Sequence, residues 1–365
     1  MRSMSNLEYW YACREMQLLV GGRLDKLYDM ENGEFRLRFR AQGRYEDVSV
    51  KLGERMHLTK YIRDAPKTPS NLAMYLRKRI EGTKLTEIRQ HDFDRVVALH
   101  FIGEQAYSLI FEMFAEGNLL LTGQDGKILR CVRREEWKDR ILREGHEYKF
   151  PASDRLSPPF NGKQLGEILG PKTIMALLSS KTNFGNQYLE EALARAGISP
   201  KKNANELGGE NVSRLVGELN GIFGQNKPLL YKKNGKAFDY SLAPFSKYSE
   251  LEQQDAKTLS EAIDECANAD AGEEKSDEGL KQDKRKEKLK LRLQKQEERL
   301  GEMMKEAEEC KRKGDEIYAR YAEIEEVLKT IREMKKQGKS WNEIKTALAD
   351  RCRIEESSGT VTLDG

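Results

Sequence analysis

The segment from Leu289 to Ile331 limits what this chain can fold into more than any other. Residues recur there in alternating steps of four and three: Leu289, Leu293, Gln296, Leu300, Met303, Ala307, Cys310, Gly314, Ile317, Tyr321, Ile324, Leu328 and Ile331. All but Gln296 and Gly314 are apolar or near-apolar, the heptad spacing of a coiled coil. Such a helix would be roughly 60–75 Å long at about 1.5 Å per residue. An apolar stripe of that length needs a partner helix to bury it, either a second copy of the chain or a returning antiparallel helix. A solitary amphipathic helix is the plainer alternative. No second heptad block follows within the 365 residues, so an unpaired coil gives the chain a route to self-association. Gly314, on the stripe, weakens the helix locally. The surrounding block, Lys281 to Ser340, holds 19 Lys+Arg and 14 Asp+Glu, the solvated flanks expected of such a helix.

The rest of the chain excludes several chemistries. Cys13, Cys131, Cys266, Cys310 and Cys352 are each at least forty-two positions apart, so no C-x-x-C pair exists and a reducing compartment is expected. His57, His91, His100 and His146 lack metal-ligand spacing. H-E-x-x-H, G-x-S-x-G and a phosphate-cradling glycine loop are all missing. Neither a metal nor a cofactor is therefore expected, and no enzymatic activity. No run of eighteen apolar residues suggests a membrane span, and MRSMSNLEYW, with Glu8, does not read as a secretory signal. A cytoplasmic, membrane-free protein is expected.

The first 170 residues predict a mixed, strand-rich region. Leu7 to Val20 suits a helix ended by Gly21–Gly22. Arg23–Met30 and Glu34–Arg40 alternate around Asn32–Gly33, a hairpin signal. Further strands are expected at 45–52, 84–90, 95–101, 107–114, 118–122 and 128–132, with a helix over 69–80 starting near Ser70. Short strands with added helices give an α+β sandwich or barrel. From Arg36 to Arg95 there are 15 Lys+Arg against 8 Asp+Glu, a balance of +7 inside a chain whose net charge is +3. Arg36, Arg38 and Arg40 share one strand face by alternation, and Arg77, Lys78 and Arg79 end the helix. A local excess of this kind favours a phosphate-bearing partner, while a solvated strand face and a dipole-matched helix end remain the structural alternative.

Pro151 to Pro159 marks a boundary. Helices are expected over 162–179, 186–196 and 212–223, and a hairpin over 228–242 turns at Asn234–Gly235. The turn 182–185 leaves backbone N–H groups free at Gly185 and Asn186, beside Lys181, where a phosphate could sit; ordinary helix packing is the alternative. Residues 248–279 read as an acidic linker or a lightly packed helix. After the coil, Ser340 and Glu343 form a capping box. GTVTLDG reads as one strand without a partner, which suggests that the natural protein continues.

Several stretches resemble the NFACT family, which includes fibronectin-binding-protein-A-like proteins and ribosome quality-control tailing factors. They are VSVKLGERMHLTKY, PSNLAMYLRKRIEGTKLTEIRQHDFDRVVALHF, FAEGNLLLTGQDGKIL, FGNQYLEEALARAGI and DEIYARYAEIEEVLKTIREMKKQGKSWNEI with GTVTLDG. LRKRIEG and the Asp94–Arg95 pair are the most specific of these, and the flavour is archaeal. The resemblance implies an α+β fold: a glycosylase-like β-sandwich domain with helices over 1–172, a helix–hairpin–helix domain over 173–245, a linker and coiled coil over 246–335, and a partial middle domain at the coil tip over 336–365. The family's returning coil helix and RNA-binding C-terminal domain are not in this sequence.

The resemblance further implies a factor that binds the large ribosomal subunit with its stalled peptidyl-tRNA and recruits tRNA for untemplated tail addition. Asp94 and Arg95 would carry tRNA engagement, and ribosomal RNA would supply the chemistry. An ion pair within the turn is the alternative for these two residues. A general RNA- or tRNA-binding protein, or a DNA-glycosylase-like nucleic-acid binder, is the competing function. Glycosylases of the formamidopyrimidine type need an N-terminal proline amine followed by glutamate, and four zinc-binding cysteines. Here the chain starts Met1-Arg2-Ser3 and has no such cluster. A surface adhesin finds no support in an export signal or a disulfide framework.

Overall fold

A computed structural model describes residues 1–30, 33–137, 139–270, 296, 299, 301, 303, 304, 306–315 and 318–363. The chain divides into two compact units, Met1–Lys275 and Ser276–Gly365.

The first unit is built on nine strands: β1 (Arg23–Asp29), β2 (Glu34–Ala41), β3 (Arg44–Lys51), β4 (Arg55–Thr59), β5 (Lys84–Gln90), β6 (Val96–Ile102), β7 (Ala106–Glu112), β8 (Asn118–Thr122) and β9 (Ile128–Cys131). They form one antiparallel sheet in the order β4-β3-β2-β1-β5-β6-β7-β8-β9. Alternation sets the faces. In β2, Phe35, Leu37 and Phe39 enter the core while Arg36, Arg38 and Arg40 take the opposite face, as the sequence predicts. In β8 every residue is buried, the mark of a strand covered on both sides; Leu120 joins Ile128, Cys131 and Leu142 in a satellite cluster. A two-residue pair, β10 (Glu135–Glu136) with β11 (Ile141–Leu142), follows.

Two glycines show how the sheet closes on itself. A Cβ on Gly53, in the β3–β4 turn, would meet Ala115 O at 2.4 Å, and one on Gly117, in the β7–β8 turn, would meet Gly53 N at 2.3 Å. Both have positive φ. Turns from opposite halves of the strand order therefore touch backbone to backbone, which only glycine permits. Phe39 of β2 and Phe101 of β6 stack within the core at 6.4 Å.

Helix α1 (Asn6–Glu15) lies against β4 and β5, and α2 (Asn71–Ile80) starts at an N-cap, Ser70, whose hydroxyl accepts from Ala73 N. The second lobe of this unit holds α3 (Gly162–Glu167), α4 (Ile174–Lys181), α5 (Asn186–Arg195) and α6 (Gly209–Gly224), then a sheet of β12 (Leu229–Lys233), β13 (Lys236–Ser241) and β14 (Glu252–Asp255) in the order β13-β12-β14. Asn234 and Gly235 both have positive φ, the type I′ geometry expected of that hairpin.

Two expectations are corrected here and a third is sharpened. The helix expected over 162–179 is two, because Pro171 lacks the N–H a continuing helix needs. The stretch read as an acidic linker or a lightly packed helix carries β14 and a helix over 259–270 (α7), which is packed tightly: its Leu259, Ala262, Ile263 and Cys266 are buried in the main core. Its acidic residues concealed an apolar face at helical spacing. The segment 248–279 therefore contributes to the first unit as far as residue 270. Strand β4, which the expected list omits, completes the sheet edge.

In the second unit, α8 (Tyr321–Lys336) and α9 (Trp341–Ala347) pack on a hairpin of β15 (Cys352–Glu355) and β16 (Thr360–Leu363). The strand expected to lack a partner thus has one in β15. The capping box at Ser340 and Glu343 forms. On the heptad stripe, Leu289, Leu293, Leu300 and Ile317 lie outside the described residues. Within α8 the buried pair is Val327 and Ile331, whereas Leu328 is 39% exposed. Ile331 keeps its place on the stripe, but Val327 takes the inward position beside it in place of Leu328, because the cover here is α9 and the hairpin. No partner helix runs alongside it among the described residues.

Candidate nucleic-acid interface

The sharpest local geometry in the first unit is the turn between β5 and β6. Asp92 and Phe93 both take positive φ, 42° and 55°, an arrangement unfavourable for residues with side chains. Two devices hold it. Phe93 is buried against Trp10 of α1 and Phe223 of α6, at centroid distances of 5.8 and 6.0 Å. Asn6, at the start of α1, donates its side-chain amide to Phe93 O at 3.0 Å and to Asp94 Oδ1 at 3.1 Å. The buried Gln90 amide bridges Asn6 O and Asp94 O at 2.9 and 2.8 Å. Asp94 Oδ1 also accepts from Arg95 N at 2.7 Å.

The Asp94 carboxylate therefore shapes the turn. No ion pair links it to Arg95 among the described residues, and the half-buried Arg95 guanidinium has no hydrogen-bond or ion-pair partner among them. Burial pushes the Tyr9 phenol's pKa up, and the charge of Arg95 opposes that only in part. A preset, unpaired guanidinium beside a carboxylate already committed to the backbone can offer its planar fork to a phosphate or a base edge.

The same end of α1 holds the second predicted group. Gly185 caps α5 at φ 105°, and a Cβ there would meet Ser5 Cβ at 2.5 Å. Ser5 is the N-cap of α1, closed by a capping box with Glu8. Ser5 thus touches Gly185 while Asn6 holds Asp94, so the two candidate groups converge on adjacent residues. Buried Glu8 ties the junction together. It accepts from Arg2 at 2.6 and 2.9 Å, Tyr188 Oη at 2.8 Å and Gln187 Nε2 at 3.2 Å. Arg2 continues to Asp239 at 2.8 Å. Ser5, Asn6, Phe93 and Glu8 are the residues that sequence reasoning missed. Ser5-x-x-Glu8 is itself a capping-box pattern and marks where α1 begins.

The other predicted basic residues divide into used and free. Arg36 is buried, 3.6 Å from Asp47 and over the Tyr28 ring at 4.2 Å. Arg38 pairs with the same carboxylate at 3.3 Å. Arg77 donates to Leu27 O at 2.6 Å and lies 5.2 Å from the Tyr28 ring. Arg79 covers Tyr75 at 3.5 Å, and Lys181 pairs with exposed Asp154 at 3.0 Å. Arg40, Lys78 and Asn186 are exposed, and no partner binds them among the described residues. The arginine row is therefore mostly internal structure, because β3 places Asp47 directly opposite Arg38.

The chain's amino terminus pairs with Asp270. All five cysteines are free. Among the described residues no group of three or more His, Cys, Asp or Glu is arranged to hold a metal ion, and no helix is long and apolar enough to cross a membrane.

A family model described as the NFACT N-terminal and middle domains matches residues 11–364. The chain belongs to the NFACT family. An archaeal Rqc2 homolog, aRqcH, of Methanocaldococcus jannaschii is 30% identical over 95% of this chain and 54% of its own length. The ribosome quality control complex subunit 2 of Saccharomyces cerevisiae is 33% identical over 36% of this chain and 13% of its own. This NFACT chain thus spans about half of the archaeal relative and far less of the yeast one. Among solved structures, the fibrinogen-binding protein of Staphylococcus aureus aligns at TM-score 0.60 and 17% identity, covering 71% of this chain and 97% of that one. The N-terminal part of the fibronectin/fibrinogen-binding protein of Streptococcus suis aligns at 0.58 and 22%, covering 72% and 98%. These two likenesses show that the NFACT chain shares their fold.

Proposed function

We propose that this chain is the tRNA-engaging part of a ribosome-associated quality-control factor, which binds the large ribosomal subunit carrying stalled peptidyl-tRNA and brings in tRNA for untemplated tail addition. The observation that carries the reading is the Asp94–Arg95 turn. Its backbone is strained and clamped, and its guanidinium is left without a partner among the described residues. Preorganisation of this kind suits a ligand with planar acceptors, such as RNA phosphate or base edges. The relatives named as ribosome quality control subunits support the same reading. Arg40, Lys78 and the α5 start at Gly185 and Asn186 supply further contacts, and residues 173–245 act as a helix–hairpin–helix module. The protein places the RNAs and ribosomal RNA does the chemistry, so the chain acts without catalysis of its own, in the cytoplasm. The heptad stripe pairs with a second helix as a coiled coil that spans the subunit surface, with residues 336–365 at its tip.

The test is co-sedimentation with large ribosomal subunits, followed by sequencing of the bound RNA. Enrichment of tRNA over bulk lysate RNA is expected, and its absence overturns the tRNA assignment. A borohydride-trapped adduct with abasic-site DNA would support the glycosylase-like alternative instead.

A further inference from the structure

The face of the β2–β4 edge that lies under α7 carries a second polar site, independent of the Asp94–Arg95 turn. In register, Arg36, Ser49 and His57 form one row across β2, β3 and β4. α7 and the loop after β4 cover the row and leave a cavity of ≈ 20 Å³, lined also by Glu34, Arg55, Arg63 and Asp264. That is room for one oxygen atom and little more.

The donors lining the cavity outnumber their acceptors. Arg36 is 8% exposed, Arg55 5% and His57 0%. Yet Arg36 Nε and Nη1, Arg55 Nε and His57 Nδ1 are all buried with no hydrogen-bond partner among the described residues. Buried guanidinium N–H groups without acceptors are costly and uncommon. The neighbouring carboxylates are already shared. Asp47 faces Arg36 at 3.6 Å and Arg38 at 3.3 Å; Glu34 faces Arg55 at 3.6 Å and Arg63 at 3.2 Å; Glu54 faces Arg55 at 3.2 Å. With the Asp264 carboxylate, which lines the same cavity, the four guanidiniums face four carboxylates, so what is unmatched is N–H donors and not net charge. Asp264 directs its oxygens to His57 Nε2 at 3.2 Å, Thr59 Oγ1 at 2.7 Å and Lys60 N at 2.8 Å, away from the arginines.

We propose that this cavity is an oxyanion site that takes one oxygen of a phosphate group between Arg36 and Arg55, with the rest of the group at the Arg63 rim. Three unmatched guanidinium nitrogens on residues lining one cavity supply charge-assisted hydrogen bonds to a phosphate oxygen. A free phosphate ion and the terminal phosphate of an RNA present the same oxygen. The inference does not depend on ribosome binding.

The experiment melts the full chain in a non-phosphate buffer with inorganic phosphate, at ionic strength matched by chloride. A rise of about 2–4 °C over chloride is expected at roughly ten times the Kd. Arg36→Gln should abolish the rise. Ser49→Asp places a carboxylate in the row and should abolish it while keeping or raising the melting temperature without phosphate; it decides the matter where Arg36→Gln does not fold. A 5′-phosphorylated ribo-oligonucleotide and its dephosphorylated twin identify the source. Response to inorganic phosphate alone assigns a free ion, and response to the phosphorylated oligonucleotide but not its twin assigns RNA ends. No response to either phosphate, or equal responses in wild type and both variants, overturns the site.

Discussion

Asn6 donates its side-chain amide to Asp94 Oδ1 at 3.1 Å, and so fastens the first residue of α1 to the turn that presents Arg95. This contact separates two roles that a sequence motif merges. Asp94 builds the turn and Arg95 is free to act. Asp94→Ala leaves Asn6 Nδ2 and Arg95 N short of an acceptor and should cost about 1–3 kcal/mol of stability. Arg95→Ala breaks no described contact and should stay within about 0.5 kcal/mol of wild type, yet weaken tRNA binding by about 1–3 kcal/mol. Chemical denaturation of the two single variants, alongside filter binding to tRNA, separates these effects. Equal destabilisation by both would show that Arg95 has a structural partner after all.

Gly185 tests whether the junction between α5 and α1 is as tight as its geometry. With φ at 105° and a Cβ site 2.5 Å from Ser5 Cβ, Gly185→Ala combines backbone strain with a clash. Gly197, at φ 68°, has no atom within 4 Å of its Cβ site and isolates the strain alone. Gly197→Ala should cost about 1 kcal/mol, and Gly185→Ala about 2–4 kcal/mol once overpacking is added. Thermal melts of the pair give the difference, and equal losses would mean that Ser5 moves aside freely.

These two predictions use residues that the sequence shows unevenly. Strand alternation and the Asn-Gly and Asp-Gly turns made most of the nine-stranded sheet legible, since period-two burial is a local property. Asp94–Arg95 was legible only through resemblance; nothing in its composition separates it from a surface turn. Its clamp, Asn6 and Gln90, was not legible, because the two lie more than eighty positions apart and meet only when α1 crosses β5. The Arg36–Arg38–Arg40 row shows the opposite failure. Alternation placed it correctly, but Asp47, nine residues on and paired through β3, turns most of it inward. In the 248–279 stretch, linker and helix stayed open alternatives, because acidic residues on one face of α7 masked Leu259, Ala262, Ile263 and Cys266 on the other.

His57 gives the first unit a defined sensitivity to acid. Burial holds the His57 imidazole pKa below its ordinary value, and the Asp264 hydrogen bond offsets that only in part. The unfolded chain therefore binds the proton more readily than the folded one. Stability is present in full above the unfolded value of about 6.5, falls as pH drops below it, and levels off beneath the lower folded value. Asp264 is held below the usual carboxylate range: burial pushes it up, but hydrogen bonds from His57, Lys60 N and Thr59 outweigh that. It adds a further loss only at more acidic pH. Melting temperatures should decline between pH 7 and 5.5, and His57→Gln should flatten that decline. An unchanged slope in the variant would assign the sensitivity to other groups.

The register of α8 decides whether the coil stripe has a covering helix in solution. In this unit Val327 and Ile331 face α9 and the hairpin, while Leu328, on the heptad stripe, is 39% exposed. If the second unit acts alone, Val327→Ala should lower its stability by about 1–2 kcal/mol and Leu328→Ala by less than about 0.5 kcal/mol. If the stripe seats a second helix, Leu328→Ala becomes costly as well, and the melting temperature of this unit depends on protein concentration when that helix comes from another copy. Calorimetry of both variants over a tenfold concentration range, with sedimentation equilibrium on the same samples, distinguishes the cases. A concentration-independent transition in which only Val327→Ala destabilises would overturn pairing between copies of this chain.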